Sequence, residues 1–444
     1  MRRLFLSTIA LLCALSLKAE VLTLDSCLSS ARQHNCSIQS ALKDVQIAQE
    51  VKKQVFTKFF PQVNLTAFAF HALDPLVRVY IPGLMQTAEG KEALESIFES
   101  MKEDYPNVSK DLEMINYGGS AGASLVQPLF MGGRIVNGNK LAEVGIQAAE
   151  KQIEISERDV LQEVEDTYWL LAGLYEKRAT VKRVNELLDT IQTVAQSAYN
   201  NGLVLQNDLL KVMLKKNEIE TKSVQLENGI LLASKLLCQL TGITYSGEPE
   251  LEPFPDTDMQ DSPVPAAAVV VTGRPEAELL AMNIKAEQLR KKLTIGEALP
   301  QVGIGLQGGY SNFFDRDRWN GLAFAFLRVP LTQWLETGHK IKEHNLRIEK
   351  AQMMQRDLMG KMTLQNEQAY SRMNEALRLV TQHQSAMTIA EDNYRICMLN
   401  YEAGIATMSD LLESQALLLQ AQNAYTDARI SYRGALRKFN SLNK

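Results

Sequence analysis

The chain has 444 residues, 47 basic against 52 acidic side chains, a net charge of −5, and 7% aromatic residues. No basic surface points to nucleic acid, and so low an aromatic content suits long helices better than a large globular enzyme core. The length would ordinarily imply two or three domains, but an internal repeat argues for one body with two similar halves.

The N-terminus reads as a secretory signal over residues 1–19. Arg2 and Arg3 precede an apolar run from Leu4 to Leu17, and Ala19 offers a small residue for cleavage. Cys13 lies inside that run after Leu12, a poor setting for lipid attachment. No later stretch approaches the ~18 apolar residues of a spanning helix. Four cysteines remain, Cys27, Cys36, Cys238 and Cys397. Their spacing fits no metal site, Cys27 and Cys36 stand on one expected helix too far apart to pair, and core or interface thiols are the plain reading.

The first repeat is assigned to residues 20–243. It opens on Leu22-Thr23-Leu24-Asp25, the start of a helix, and then Phe60-Pro61-Gln62-Val63 leads into an alternating strand from Val63 to Phe70. An insertion at 73–116 follows, with Pro75, Pro82, Pro106 and a helical piece around Lys91 to Lys102. A second strand is expected from Gly119 to Val126. No proline occurs between Pro128 and Pro249, and proline breaks helix interiors. Within that tract Leu174, Val181, Leu188 and Ala195 fall seven apart, as do Val184, Ile191 and Ala198. That is a coiled-coil seam. Its one break is Gly202, a C-cap signal, after which Asn207-Asp208 read as a new N-cap. The tract is therefore a helical hairpin, whose first arm of about 65 residues would be roughly 100 Å long.

Residues 244–275 hold six prolines and six acids and read as an extended linker. The second repeat, 276–444, matches the first at an offset of 202 residues. Tyr199, Gly202, Asp208, Leu209 and Leu210 recur as Tyr401, Gly404, Asp410, Leu411 and Leu412, and Gln127-Pro128-Leu129 is echoed by Val329-Pro330-Leu331. Strong alternation runs through Val302, Ile304, Leu306, Gly308 and Tyr310 and resumes from Leu322 to Val329. A second proline-free tract follows Pro330. It breaks at Gly404, restarts at Thr407-Met408-Ser409-Asp410, and ends in a stripe of small residues, Ala421, Ala424, Ala428, Ser431 and Ala435.

No catalytic constellation is present. The five histidines, His34, His71, His339, His344 and His383, form no metal pair, and neither phosphate loop nor nucleophile elbow occurs. Neither cofactor nor catalytic residue is expected. Asp410 and Glu413 share one helix face beside the second tip. Asp208 is the counterpart of Asp410, whereas Lys211 stands where Glu413 does. An acid there suits a helix N-terminus and can also face a pore.

Four strands of about ten residues match tilted membrane strands. Membrane sheets must close, and about eight strands is the observed minimum, so such a protomer must oligomerise. The doubled Tyr-x-x-Gly-x5-Asp-Leu-Leu tip, with Leu22-Thr23-Leu24-Asp25 and the pair Phe60-Pro61-Gln62-Val63 and Leu299-Pro300-Gln301-Val302, resembles the TolC-type outer-membrane efflux and secretion ducts over nearly the whole mature chain. The resemblance implies a mainly α protein with transmembrane β: a homotrimer in which antiparallel helical hairpins form a helical barrel topped by a twelve-strand β-barrel, four strands per protomer. It implies an outer-membrane location with outer-membrane lipid around the strands, extension into the periplasm, a periplasmic adaptor and an inner-membrane transporter as partners, and no enzymatic activity. It places a periplasmic constriction at Asp410 and Glu413, with Asp208 and Tyr401 beside them, and adaptor docking at the tips Gly202-Leu203 and Gly404-Ile405. One departure is Ala406, where some members carry a basic residue that pairs to hold the closed state. The competing reading is a periplasmic coiled-coil protein that bridges membranes without a pore.

Overall fold

The computed structural model describes residues 21–73, 77–78, 88–104, 113–114, 117–202, 204–253, 273–313 and 316–443. The signal segment, Leu203, and much of the insertion and of the linker lie outside them. The elements in chain order are α1 (Leu24–His34), α2 (Cys36–Phe56), β1 (Gln62–His71), β2 (Val77–Arg78), α3 (Ala88–Asp104), β3 (Glu113–Met114), β4 (Tyr117–Met131), α4 (Arg134–Asn200), α5 (Gln206–Thr241), α6 (Pro275–Glu297), β5 (Gln301–Phe313), β6 (Arg316–Arg328), α7 (Gln333–Glu402) and α8 (Met408–Asn443). Two compact units result, and each draws segments from both halves of the repeat.

The first unit comprises Ile47–Gln147 and Met282–Gln352. Its four-stranded antiparallel sheet has the order β1-β4-β5-β6, so one long strand pair from each repeat meets in the middle and β1 and β6 are left as edges. The register sets one face as Val63, Leu65 and Ala67 on β1 against Leu125, Ala123 and Ala121 on β4. Val302, Ile304, Leu306 and Tyr310 on β5 and Leu327, Ala325, Ala323 and Trp319 on β6 continue that face. The other face carries Asn64, Thr66, Ser124, Ser120, Gln307, Asn320 and a row of glycines, together with Phe68, Phe70, Leu322, Phe324 and Phe326. Strand alternation with period two makes this split inevitable once the register is fixed. Val302 and Tyr310 stand eight steps apart, about 27 Å along the strand, close to the ~25 Å apolar band of outer-membrane barrels. The Tyr310 and Trp319 rings pair 5.6 Å apart at one end of that band. Phe56, Phe59 and Phe60 cluster together in the segment that leads into β1. Aromatics of this kind favour a membrane–water boundary.

Glycine matters at two places in this sheet. Gly303 and Gly305 lie opposite Phe326 and Phe324, whose rings fold over the missing side chains, so a Cβ on Gly303 would meet the Phe326 ring at 2.6 Å. At the turn from β4 into α4, Gly132 has φ +63°, and its Cβ would run into the Gly296 carbonyl of α6. β4 extends beyond the expected Gly119–Val126 through Pro128, because a register shift between Pro128 and Phe130 absorbs the proline. Within the insertion, α3 matches the expected helical piece, and β2 pairs with β3.

The second unit comprises Met1–Gln46, Ala148–Ala281 and Met353–Lys444. The heptad residues do what their spacing predicts: Val181, Val184, Leu188, Ile191 and Ala195 are buried. They pack on Leu209, Val212 and Ile219 of α5, and also on Met408, Leu411, Leu412 and Leu419 of α8. The two hairpins thus cover each other. A second cluster joins Ala369, Met373, Ala376 and Val380 of α7 to Ala428, Tyr432 and Phe439 of α8. A charged layer ties α4 to α8: Arg429, almost wholly buried, holds Glu176 at 3.0 Å, and Arg437 holds Glu165 at 2.5 Å. Arg433 lies 4.1 Å above the Trp169 ring. Burial pushes the Glu165 carboxyl above its usual range, and the Arg437 charge opposes that push.

The N-terminal helix differs from expectation. Thr23 caps α1 by accepting from Ser26 N at 3.1 Å, but the helix stops at Asn35 and a new one begins at Cys36. Asn35 is spent on tertiary and local bonds, donating to Leu240 O at 2.9 Å and accepting from Ser37 N at 2.9 Å. Cys27 and Cys36 therefore sit on separate helices.

Gly132→Ala should cost about 2–4 kcal/mol, from a positive φ and a backbone that cannot yield. Gly145→Ala, with nothing within 4 Å of its Cβ inside α4, should instead be neutral or gain up to about 1 kcal/mol. Denaturant titration of the refolded protein in detergent measures both.

Candidate functional site: the hairpin tips

Both hairpins turn on a glycine in the left-handed region, φ +71° at Gly202 and +74° at Gly404. At the second tip Gly404 N donates to Tyr401 O at 3.0 Å and Ile405 N to Asn400 O at 2.8 Å. These two bonds make a Schellman cap, which satisfies the last carbonyls of α7. Gly202 N likewise donates to Tyr199 O at 2.9 Å. Gly202 and Gly404 meet nothing within 4 Å of a notional Cβ, and Ile405 is 76% exposed. Both glycines and Ile405 thus present an open tip. Leu203 lies outside the described residues.

The two restarts differ. At α8, Thr407 is the N-cap and Asp410 the third helical residue of a reciprocal capping box. Asp410 Oδ2 accepts from Thr407 N at 2.8 Å and from Thr407 Oγ1 at 2.7 Å, while Asp410 N donates to Thr407 Oγ1 at 3.2 Å. The Thr407 hydroxyl, then its amide, hold the Asp410 carboxyl below the ordinary aspartate range. Glu413, one turn on, is exposed. At α5 the expected Asn207-Asp208 cap is not formed. Leu205 occupies the N-cap with ψ 150° and no side-chain bond, so Asp208 falls at the third helical position.

There Asp208 meets a residue that composition alone did not single out. Lys211 Nζ lies 3.4 Å from Asp208 Oδ1 and donates to Ser409 Oγ at 2.6 Å, so it crosses from the first hairpin to the second. Tyr401 packs against the same apolar cluster, and burial, reinforced by the Asp208 charge, raises its phenol above the usual range. The structure thus gathers Asp208, Lys211, Ser409 and Tyr401 at one junction. The hydrogen bonds of Asp410 are spent on Thr407 instead. The signal for Lys211 was its asymmetry with Glu413, but its reach to Ser409 requires the packing of α5 on α8. Among the described residues, no group of His, Cys, Asp or Glu is placed to hold a metal ion, and no helix is long and apolar enough to cross a membrane.

A two-faced sheet with long paired helical hairpins defines the fold of the TolC-like outer-membrane channels. Residues 99–242 match the family model described as outer membrane efflux protein. No curated protein matches the chain by sequence. Solved structures match throughout. The CmeC outer membrane channel of Campylobacter jejuni aligns with 15% identity over 94% of this chain and 85% of its own, at a TM-score of 0.73. The outer membrane protein VceC of Vibrio cholerae aligns with 17% identity over 95% and 96%, at 0.72. The MtrE outer membrane channel of Neisseria gonorrhoeae aligns with 13% identity over 94% and 88%, at 0.70. The chain thus has the fold of the TolC-like outer-membrane channels, and its residues 99–242 resemble the outer membrane efflux proteins.

Thr407→Ala should loosen the first turn of α8 by about 1 kcal/mol, read as faster amide exchange there. Because the folded Asp410 pKa is lowered, its stabilising contribution is complete above ~3.9, the ordinary aspartate value, and is lost as pH falls through the lower folded value. Exchange of the same amides, followed downward in pH, should show that loss in the wild type and not in Asp410→Asn.

Proposed function

We propose that three copies assemble into one duct, a twelve-strand barrel continued by a helical barrel. In this reading the duct passes substrates received from a periplasmic adaptor and an inner-membrane transporter, as the exit of a tripartite efflux or type I secretion system. The observation that carries this is the sheet. It has one largely apolar face and a second face where glycines and polar residues mix with phenylalanines, and both β1 and β6 are edges. An open edge cannot be left in lipid, so the first and last strands of neighbouring copies supply each other's partners. Exposed apolar residues on the helices support the same assembly. Leu210, Leu214, Val224 and Leu231 on α5, and Ile389, Ile396 and Leu399 on α7, are exposed among the described residues of the protomer. A poreless periplasmic coiled coil would leave the apolar sheet face without a use. Mass measurement in detergent should give three chains, and planar-bilayer recording should give single-channel steps. A stable, water-soluble monomer would overturn the assembly.

At the periplasmic end, Asp410 and Glu413 from three copies would form the constriction, with Asp208 and Tyr401 beside it, and Lys211 reaching Ser409 would hold the two hairpins of each copy together. This reading supplies the tie that Ala406 does not. Carboxylate rings favour cations, so multivalent cations added on the periplasmic side should block current. D410A/E413A should raise conductance and relieve the block. Lys211→Ala should raise conductance while leaving the block in place. A D410A/E413A channel with wild-type conductance and block would reduce the two acids to helix caps.

The open tips, Gly202-Leu203 and Gly404-Ile405, are proposed to receive the adaptor, because a glycine turn lets a partner backbone come close. Gly404→Leu should abolish export while trimers persist in the membrane. If only the C-cap role matters, the same change should instead lower trimer yield.

A further inference from the structure

Helix α1 packs against the C-terminal end of α5 through three contacts. Ser30 Oγ donates to Thr241 O at 2.9 Å, Asn35 Nδ2 donates to Leu240 O at 2.9 Å, and a Cβ on Gly242 would lie 2.5 Å from the His34 Cβ. One turn back from Ser30 along α1 stands Cys27, and one turn back from Thr241 along α5 stands Cys238. Both are thiols in the structure and both are buried, and Cys27 lies completely buried in a cluster that includes Leu237, Leu240, Ala31 and Tyr168. Burial pushes the Cys27 thiol up to about 11, and the nearby Cys238 sulfur adds to that rise against the opposing Ser26 hydrogen bond. Cys36, by contrast, is exposed and on a different helix, and Cys397 is half-buried on α7.

We propose that Cys27 and Cys238 are joined by a disulfide in the mature protein, with Cys36 and Cys397 left as thiols. The inference rests on the proposed reading as an outer-membrane duct, whose export takes the folding chain through an oxidising compartment. The Sγ–Sγ bond forms as each thiol loses its proton, and the two electrons pass to the disulfide of a periplasmic thiol oxidant, which leaves as a dithiol. The exchange occurs while the chain folds, before the core closes over Cys27. Afterwards the bond is shielded from reductants. It fastens α1 to the end of the first hairpin, so nearly all of the first repeat lies within the closed loop.

The test uses chain taken from purified outer membranes, unfolded in an alkylating reagent without reductant, digested and mapped by mass spectrometry. Cys36 and Cys397 should carry the alkyl group. The peptides holding Cys27 and Cys238 should appear as one species, two hydrogens lighter than their sum, that separates on reduction. Alkylated Cys27 and Cys238 in the unreduced sample would overturn the proposal, as would any other pairing. Fractionation of the same cells reports location independently. A chain in the outer membrane with both thiols free overturns the disulfide alone, whereas a chain missing from that membrane overturns the functional reading and the proposal with it. The C27S/C238S variant gives a second readout. Its thermal unfolding should fall by on the order of 5 °C or more and no longer respond to reductant present during refolding. Wild-type melting in the variant would count against a formed bond.

Discussion

A backbone amide in hydrocarbon has no water to turn to, and the proposed assembly is built on that constraint. The sheet β1-β4-β5-β6 satisfies its two inner strands and leaves one side of each outer strand unsatisfied. A soluble protein can leave such edges to water, but a membrane protein must close them. Four strands are too few to close alone, so in the proposed assembly neighbouring copies supply the rest. Once copies stand around an axis, the long hairpins that follow each strand pair have neighbours for the apolar residues they expose. The duplication serves the same end. Each repeat supplies one strand pair and one hairpin, and the register of β4 on β5 joins the two repeats across the middle of the sheet.

Helical packing carries a second burden, which is to hold the tips in one arrangement without a large globular core. Buried Leu188, Ile191 and Val212 from the first hairpin interlock with Leu411 and Leu419 from the second. Polar ties are spaced along the same faces, from Arg437–Glu165 and Arg429–Glu176 to Lys211–Ser409 near the turn. Buried ion pairs of this kind add little net stability but are costly to break singly, so they fix register more than they strengthen it. Removing one tie at the tip, where burial is least, is the cheapest way for such a bundle to change shape.

Much of this was legible in the sequence because its causes are local. Heptad spacing placed Val181, Leu188 and Ala195 in the core, alternation placed β5 and β6, and the two glycines marked the turns. What escaped depends on contacts between distant segments. Asn35 ends α1 because its side chain is drawn to Leu240 O, a partner 205 positions away. Leu205 takes the N-cap of α5 by backbone conformation alone, with no polar side chain to signal it. Pro128 looked like the end of a strand, and only the paired register shows a bulge that lets β4 continue. Lys211 was visible as a break in the repeat, but its partner Ser409 follows from how α5 meets α8.

That break in the repeat has a further consequence. A freshly duplicated protein has interchangeable halves, and either could stand for the other around a ring. Here the position that carries an acid in one half carries a cation in the other, and the cation reaches the restart of its sibling's second helix. Each half has become the complement of the other. A chain built from two copies of the first half would offer the lysine an asparagine in place of Ser409, and one built from two second halves would lose the bridging lysine. The symmetry of the repeat has become a pairing of unlike parts, so the two halves now evolve as partners and no longer as copies.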